Sequence, residues 1–269
     1  MRKNTDVDLG SISPVSKQPL QTHVYRELRR LIMSGHLLPG QELKVRDLAQ
    51  QFGTSVQPVR EAILQLIAEK ALEAAPNASA RIPVFDASRL IDLRNVRLAV
   101  EGLAAELATN NASEGDIEEL ANIVAQEIAA DDAQDVEASV RFNREFHFRL
   151  YQLSGSALLP SIVEGLWLQV GPNIRDAAEV FDARGGKGGA YHIEILRALR
   201  KKDGNGVRRA LEQDISRFFD VLLARYSAAE KSRSGAAGAV KTRRRAAVKV
   251  DRTQLAPVKS AKTSTRKNT

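Results

Sequence analysis

Four polar side chains on three predicted helices have the types and spacing of a metal site. Asn143 and His147 are four residues apart and share one helix face, whose other residues are largely apolar. His192 and Asp214 also lie at helical spacing among leucine, isoleucine and phenylalanine, so all four point at an apolar interior. Two imidazoles and a carboxylate suit a divalent transition metal such as Zn, Ni or Mn. A metal-free polar pocket, in which the imidazoles hydrogen-bond Asp214 or a ligand directly, is the alternative.

A second chemically suggestive segment is residues 44–72, KVRDLAQQFGTSVQPVREAILQLIAEKAL. It predicts two helices joined by a tight turn. The first helix runs from about Val45 to Phe52, and Gly53 provides its C-terminal cap. Ser55 caps the second helix, whereas Thr54 with Gln57 would start it one residue earlier. An ordinary helical hairpin is the alternative to a helix-turn-helix.

The second helix of this pair has an apolar face and a polar N-terminal end. Its apolar residues recur at helical spacing and are expected to face a core: Val59, Ile63, Leu66 and Ile67. Ser55, Gln57, Arg60 and Glu61 fall elsewhere, near the end that meets base edges in the major groove when such a helix reads DNA.

The flanking residues predict a winged helix-turn-helix domain over residues 17–85. A helix begins at Gln21 and ends at Gly35, and a Pro39-Gly40 turn follows it. After the helix pair, strands near residues 72–75 and 80–85 are joined by a turn at residues 76–79. The expected domain therefore has three helices and a two-stranded wing.

From residue 86 to 228 the pattern changes to long amphipathic helices. We expect them at about residues 87–109, 113–130, 134–153, 157–180, 190–202 and 204–228, with a bend near Gly171-Pro172. The segment ARGGKGGA is read as a flexible connector. The fold class is therefore mainly α: a winged helix-turn-helix followed by an all-α bundle.

Composition divides the chain into a mildly acidic body and a basic tail. The net charge is +7, but residues 231–269 contain twelve Lys and Arg and one Asp. We expect residues 229–269, and the polar residues 1–16, to be disordered. The tail suits salt-sensitive DNA binding, or it is only a solubilising extension. Without cysteine, a signal peptide or a long apolar run, the protein is expected to be cytoplasmic, with no membrane partner.

The N-terminal motifs resemble the DNA-binding domain of GntR-family bacterial transcription regulators. The resemblance rests on LIMSGHLLPGQEL followed by VRDLAQQFGTSVQPVREAILQLIAEKAL. It implies that Arg46, Ser55 and Arg60 contact DNA, with Lys44 as a phosphate contact.

Two departures from the GntR pattern concern DNA contacts. The pair Val56-Gln57 replaces the usual Arg-Thr, although Gln57 could still pair with adenine. At the wing tip, Ala78-Ser79 replaces Arg-Gly, so a weaker wing contact is expected.

The bundle resembles the FCD effector domain of the FadR-type subgroup over about residues 88–225. DLRNVRLAVEGLAAELA, NREFHFRLYQLSGS and YHIEILRALRKKDGNGVRRALEQDI carry the resemblance. Many such domains hold a metal with an Asp and three His. Here Asn143, His147, His192 and Asp214 stand at those positions. The resemblance also implies a small organic acid effector that meets Arg97, His147, His192 and Asp214. An intrahelical ion pair with Glu101 is the alternative for Arg97.

These features predict a ligand-responsive DNA-binding transcription regulator and not an enzyme. It is expected to act as a repressor, and to bind a palindrome-like operator in double-stranded DNA as a homodimer. One alternative is a nucleoid-associated DNA-binding protein that uses its basic tail. The other is a metal-dependent hydrolase or lyase, although no nucleophile or general base with a convincing partner is visible.

Overall fold

The computed structural model describes residues 20–76, 79–175, 177–178 and 189–226. The predictions for residues 1–16, for the tail at 229–269 and for most of the glycine-rich connector lie outside these residues. The chain up to Leu223 forms one unit, and a second unit begins at Ala224.

The N-terminal part contains three helices and three short strands. In chain order they are α1 (Leu20–Met33), β1 (Glu42–Lys44), α2 (Val45–Gln51), α3 (Val56–Ala68), β2 (Glu73–Ala75) and β3 (Ser79–Arg81). Val59, Ile63 and Leu66 of α3 are buried as the periodicity predicts, whereas Ile67 is half-buried.

The turn between α2 and α3 forms as predicted around Gly53. This residue has φ +61, a conformation that glycine adopts without steric cost. Its N–H donates to Gln50, and the Thr54 N–H donates to Ala49 at 3.0 Å, which satisfies the last carbonyls of α2. The two helices are thereby held in the helix-turn-helix arrangement.

Ser55 occupies the N-cap position of α3, but the expected side-chain cap is missing. No hydrogen bond joins its hydroxyl to the first turn. The third residue of the helix is Pro58, which lacks the N–H that a serine cap would receive. The start of α3 is therefore predicted correctly from the sequence, whereas the predicted capping hydrogen bond is absent.

The wing is a three-stranded antiparallel sheet of order β1-β3-β2, not the predicted two-stranded hairpin. The missed strand β1 pairs with β3, with Glu42 opposite Arg81. A three-residue strand has no pattern of its own and exists because β3, far along the chain, supplies its hydrogen bonds. β3 is also shorter than predicted and ends at Arg81.

The C-terminal part contains helices joined by short loops, and no strand within the described residues. It comprises α4 (Ala87–Asn111), α5 (Glu114–Asp132), α6 (Val136–Gln152), α7 (Leu159–Val170), a 3₁₀ turn (Gly171–Asn173), α8 (Ala190–Arg200) and α9 (204–226). The mainly α fold class is confirmed, and the bend expected near Gly171-Pro172 is this 3₁₀ turn. None of the helices in the described ranges is long and apolar enough to cross a membrane.

Gly171 lies where α7 meets the C-terminal end of α1. A Cβ at this position would lie 2.5 Å from the carbonyl oxygen of Ile32 and 2.8 Å from the Cα of Met33. The Arg29–Glu164 ion pair, at 3.1 Å, also joins the two helices. Only glycine permits this backbone approach, so the 3₁₀ turn lies directly against α1.

We expect Gly171→Ala to lower the free energy of unfolding by about 1–3 kcal/mol, because its methyl group must displace backbone atoms of α1. The matched control is Gly165→Ala in α7, where an added Cβ meets no atom within 4 Å. Alanine should stabilise that helix by about 0.5–1 kcal/mol. Urea denaturation at one fixed protein concentration measures both changes. Equal effects of the two substitutions would contradict the close approach.

Candidate functional site

Three of the four predicted metal ligands converge in the bundle. His147 on α6, His192 on α8 and Asp214 on α9 come from distant parts of the sequence, and all three are buried. His147 Nε2 lies 3.2 Å from His192 Nε2 and 3.2 Å from Asp214 Oδ2. His192 Nε2 lies 3.8 Å from the same oxygen. These three residues are called the His-His-Asp cluster below.

The other ring nitrogen of each histidine is held by a buried partner. His192 Nδ1 lies 2.6 Å from Glu127 Oε2, and Phe146 stacks on its ring. His147 Nδ1 lies 3.0 Å from the hydroxyl oxygen of Tyr151. These contacts fix both rings with their Nε2 atoms directed at the cluster, as outer partners of metal-binding histidines do.

Asn143, the fourth predicted ligand, lies beside the cluster. It is half-buried one turn before His147 on α6, and its amide nitrogen donates to Glu127 Oε1 at 3.4 Å. In this arrangement Asn143 helps to orient the carboxylate that holds His192.

A second buried carboxylate, Glu101, connects α4 to α6 and α7. It is fully buried and accepts hydrogen bonds from Arg97 Nε at 2.5 Å, the Tyr151 hydroxyl at 2.5 Å and Trp167 Nε1 at 3.0 Å. The ion pair named as the alternative for Arg97 is therefore present. It uses Nε and Nη2 of the guanidinium, which also packs 4.7 Å from the ring centroid of Trp167.

The protonation of the cluster follows from these contacts. Burial alone would lower the pKa of His192, but the Glu127 and Asp214 carboxylates outweigh it and raise that pKa to about 10. Burial lowers the pKa of His147, whose neighbour His192 carries the positive charge. Burial opposes ionisation of Asp214, but its contacts with His147 and His192 and the positive charge of His192 outweigh burial and lower its pKa. His192 is therefore the cationic member.

The hydrogen-bond network also assigns the tautomer of His147. The Tyr151 hydroxyl donates its proton to Glu101, so its oxygen accepts the Nδ1 proton of His147. The lone pair of His147 Nε2 then faces the Asp214 carboxylate. His147 Nε2 and Asp214 Oδ2 are then both acceptors, and they lie 3.2 Å apart. They repel each other unless a positive charge lies between or beside them. Protonated His192 supplies that charge in the protein alone, and a divalent cation would supply it otherwise.

A cavity of about 90 Å³ opens beside the cluster. His147, Asp214, Glu127 and Asn143 lie in its wall, together with Arg97 and Trp167, whereas His192 is fully buried outside the lining. The cavity therefore combines imidazole, carboxylate and guanidinium groups with aromatic surface, the mixture expected of a site for a small polar ligand.

The donor set of the cluster fits a divalent transition metal. Separations of 3.2–3.8 Å are those of ligand atoms that share one ion at roughly 2.0–2.2 Å. Neutral imidazole Nε2 and a carboxylate oxygen are ligands that Zn and Ni accept. Glu127 completes the carboxylate–histidine arrangement that orients metal ligands.

Sequence reasoning missed both buried glutamates as parts of the site. Glu127 continues the apolar stripe of α5 formed by Ile117, Leu120 and Val124, which is the signal that could have revealed its burial. Glu101 was named only as an ion-pair partner of Arg97. Its contacts with α6 and α7 become visible only when those helices are packed.

The residues predicted to bind DNA all lie exposed on one part of the winged domain. Lys44 ends β1, Arg46 is in the first turn of α2, and the remainder occupy the start of α3: Ser55, Gln57 and Arg60. Within the described parts of the chain, no carboxylate pairs with the three cationic side chains. Gln57 Nε2 donates to Glu61 at 2.7 Å. All five side chains are therefore accessible from solvent.

The winged helix-turn-helix and the helical bundle define a DNA-binding transcription regulator with a C-terminal effector domain. A model described as "Bacterial regulatory proteins, gntR family" matches residues 20–82, and the FCD domain model matches residues 92–217. The chain belongs to the GntR family of bacterial transcription regulators and carries an FCD domain.

Individual relatives agree with this assignment. The chain is 30% identical over 212 residues to the Escherichia coli K12 transcriptional regulator McbR, covering 77% of this chain and 95% of that protein. The solved structure of E. coli McbR superposes with a TM-score of 0.73 at 29% identity, covering 78% of this chain and 100% of that one. The E. coli K12 transcriptional repressor RspR is 25% identical over 198 residues, covering 74% of this chain and 86% of RspR.

We expect Glu127→Gln to weaken binding of Zn²⁺ or Ni²⁺ roughly 10–100-fold, because the outer carboxylate orients His192 and raises its basicity. Calorimetric titration of chelator-treated protein measures this change. The control is Glu118→Gln, an exposed glutamate on the same helix. Metal affinity that is unchanged by Glu127→Gln would show that the carboxylate does not support a metal ligand.

Proposed function

We propose that this protein is a ligand-responsive repressor that binds a palindrome-like operator as a homodimer and senses a small organic acid in its bundle. The observation that carries the proposal is the cavity at the His-His-Asp cluster, in a chain whose N-terminal domain belongs to a DNA-binding family. RspR is named a repressor, which supports repression rather than activation as the role of this protein. Such a protein acts in the cytoplasm, in association with the nucleoid.

DNA recognition is assigned to α3 and the residues around it. The exposed N-terminal end of α3 enters the major groove, where Gln57 and Arg60 reach base edges. Ser55 is free to contact DNA because its hydroxyl makes no helix cap. Lys44 and Arg46 contact phosphates and set the register of the domain.

An exposed apolar surface supports the homodimer. α4 has large apolar side chains on its exposed side as well as on its buried side. The exposed ones are Ile91, Val96 and Leu103. Leu158 and Ile162, at the start of the adjacent α7, are exposed as well. Pairing two copies across this surface would give two winged domains related by two-fold symmetry, as a palindromic operator requires.

The effector is proposed to bind in the cavity through its oxygen atoms. A divalent metal held by His147, His192 and Asp214, with Asn143 beside them, would supply a Lewis-acidic centre for a carboxylate or hydroxyl group. Arg97 Nη1 makes no hydrogen bond within the described residues and can meet the same ligand. Without a metal, the protonated His192 provides the positive charge for an acid.

The contact between α7 and α1 offers a route from the cavity to the DNA-binding domain. Trp167 lies in the cavity wall, and four residues later Gly171 packs against the backbone of α1. A ligand that moves Trp167 would displace the 3₁₀ turn, and α1 with it. Ligand binding would then favour one placement of the winged domains and alter operator affinity.

The domain organisation that we propose is a winged domain over residues 17–85 and an effector bundle over residues 86–228. The N-terminal residues 1–16 and the basic tail 229–269 flank these two domains. The tail would add sequence-independent affinity for DNA through counterion release.

We expect Arg60→Ala to weaken binding to an operator selected from random duplexes roughly 5–150-fold, because one base or phosphate contact contributes about 1–3 kcal/mol. Fluorescence anisotropy at fixed salt concentration measures the affinity. Arg200→Ala, an exposed arginine at the end of α8, is the control. If Arg60→Ala bound the operator like the wild type, α3 would not be the reading helix.

Deletion of residues 231–269 in the same assay separates the regulator from a nucleoid-associated architectural protein. An accessory tail leaves specific binding intact with a smaller salt slope. An architectural protein loses all DNA binding when the tail is deleted, and its DNA affinity is unchanged by Arg60→Ala. A hydrolase or lyase that uses the cluster would keep its turnover in both variants.

A further inference from the structure

A second cleft lies between the C-terminal end of α1 and the first half of α6. Its volume is about 180 Å³. The polar groups that line it are Arg30, Ser34, His36, Glu137, Arg141 and Arg144. We call it the junction cleft, because α1 lies in the part of the chain matched by the GntR model and α6 in the part matched by the FCD model.

Positive charge dominates the junction cleft. Three guanidinium groups and the His36 ring face a single carboxylate, that of Glu137. Arg30 is paired with Glu27, at 3.0 Å. The cleft thus differs from the bundle cavity, where Arg97 is paired with Glu101 and Arg217, also in the cavity wall, is paired with Asp214.

Arg141 and Arg144 are the two cations whose charge is not neutralised. They are three residues apart on α6 and so lie on one face of the helix. Within the ranges that the structure describes, no carboxylate oxygen lies within 4.0 Å of either guanidinium group, although Glu137 is on the same face. Arg141 lies 4.4 Å from the ring centroid of Phe142, and Arg144 is half-buried. Two adjacent guanidinium groups in a cleft favour an anion that accepts several hydrogen bonds.

The α1 side of the cleft supplies further donors. The Ser34 hydroxyl lies 2.6 Å from His36 Nδ1, which leaves Nε2 of that exposed ring available. The proton of the Ser34 hydroxyl is already used, in a hydrogen bond to His36 Nδ1 or to the Leu31 carbonyl oxygen. The remaining imidazole and guanidinium donors, which come from two directions, suit a tetrahedral dianion better than a flat monocarboxylate.

We propose that the junction cleft binds a phosphate-type dianion through Arg141 and Arg144 of α6 and through His36, which follows α1 and whose ring is held by Ser34. The phosphate comes either from a free phosphorylated molecule or from the DNA backbone. In either case it bridges the two parts of the chain. Val140 lines this cleft and the bundle cavity, so α6 alone separates the two sites. This site is distinct from the effector site and does not depend on it.

Calorimetric titration of the full-length protein with inorganic phosphate, at constant ionic strength set with chloride, tests the site. We expect saturable binding to the wild type that weakens at least about tenfold in Arg144→Gln and in Arg141→Gln. Arg144→Lys should retain part of the affinity and shows that the fold tolerates substitution. Arg197→Gln on α8 is the matched control and should bind phosphate like the wild type.

Operator affinity measured without phosphate identifies the source of the anion. If the DNA backbone supplies it, Arg144→Gln weakens operator binding and reduces the salt slope by about 1. If a free molecule supplies it, operator affinity without phosphate is unchanged and the calorimetric loss remains. The proposal is overturned if phosphate binds the wild type and Arg144→Gln equally, or does not bind, while operator affinity is also unchanged by Arg144→Gln.

Discussion

The fully buried carboxylate of Glu101 imposes the strongest constraint on the bundle. An unpaired charge in such a position would cost several kcal/mol, so its oxygens must be satisfied by donors from neighbouring helices. Arg97 donates from the same helix, Tyr151 from α6 and Trp167 from α7. These bonds form only when the three helices pack in one register, so the charge selects that register.

The same network positions the His-His-Asp cluster. Tyr151 links Glu101 to His147, whose Nε2 meets His192 and Asp214, and Glu127 holds the far side of His192. The rings are therefore oriented by the fold before any ligand arrives, which lowers the cost of binding. The cavity lies beside this fixed cluster, and α7 continues from it to the backbone of α1 at Gly171. Packing thus connects the bundle cavity to the domain that reads DNA.

Local patterns in the sequence predicted much of this arrangement. Helical spacing correctly predicted that His147, His192 and Asp214 face the interior. Gly53 correctly predicted the turn of the helix-turn-helix, because the backbone conformation at that position favours glycine. Most of the errors came from partners far away in the sequence, whereas the failed Ser55 cap has a local cause. β1 exists only through β3, and the Ser55 cap fails because Pro58 has no N–H. The roles of Glu101 and Glu127 depend on contacts with helices far away in the sequence. In the sequence alone, a single glutamate in a helix looks like a solvent-exposed charge. The positions of the predicted DNA contacts remain predictions of function, although all five side chains are exposed.

The central claim is that the His-His-Asp cluster is a metal centre that receives a small acid. The most direct measurement is a crystal structure of protein purified without chelator, with anomalous diffraction collected on both sides of the Zn, Ni and Mn edges. The account predicts an anomalous peak roughly 2.0–2.2 Å from His147 Nε2, His192 Nε2 and an Asp214 oxygen, with oxygen ligands of a small molecule beside it. A cluster without an anomalous peak, in which His192 donates directly to His147 or Asp214, would contradict the metal centre.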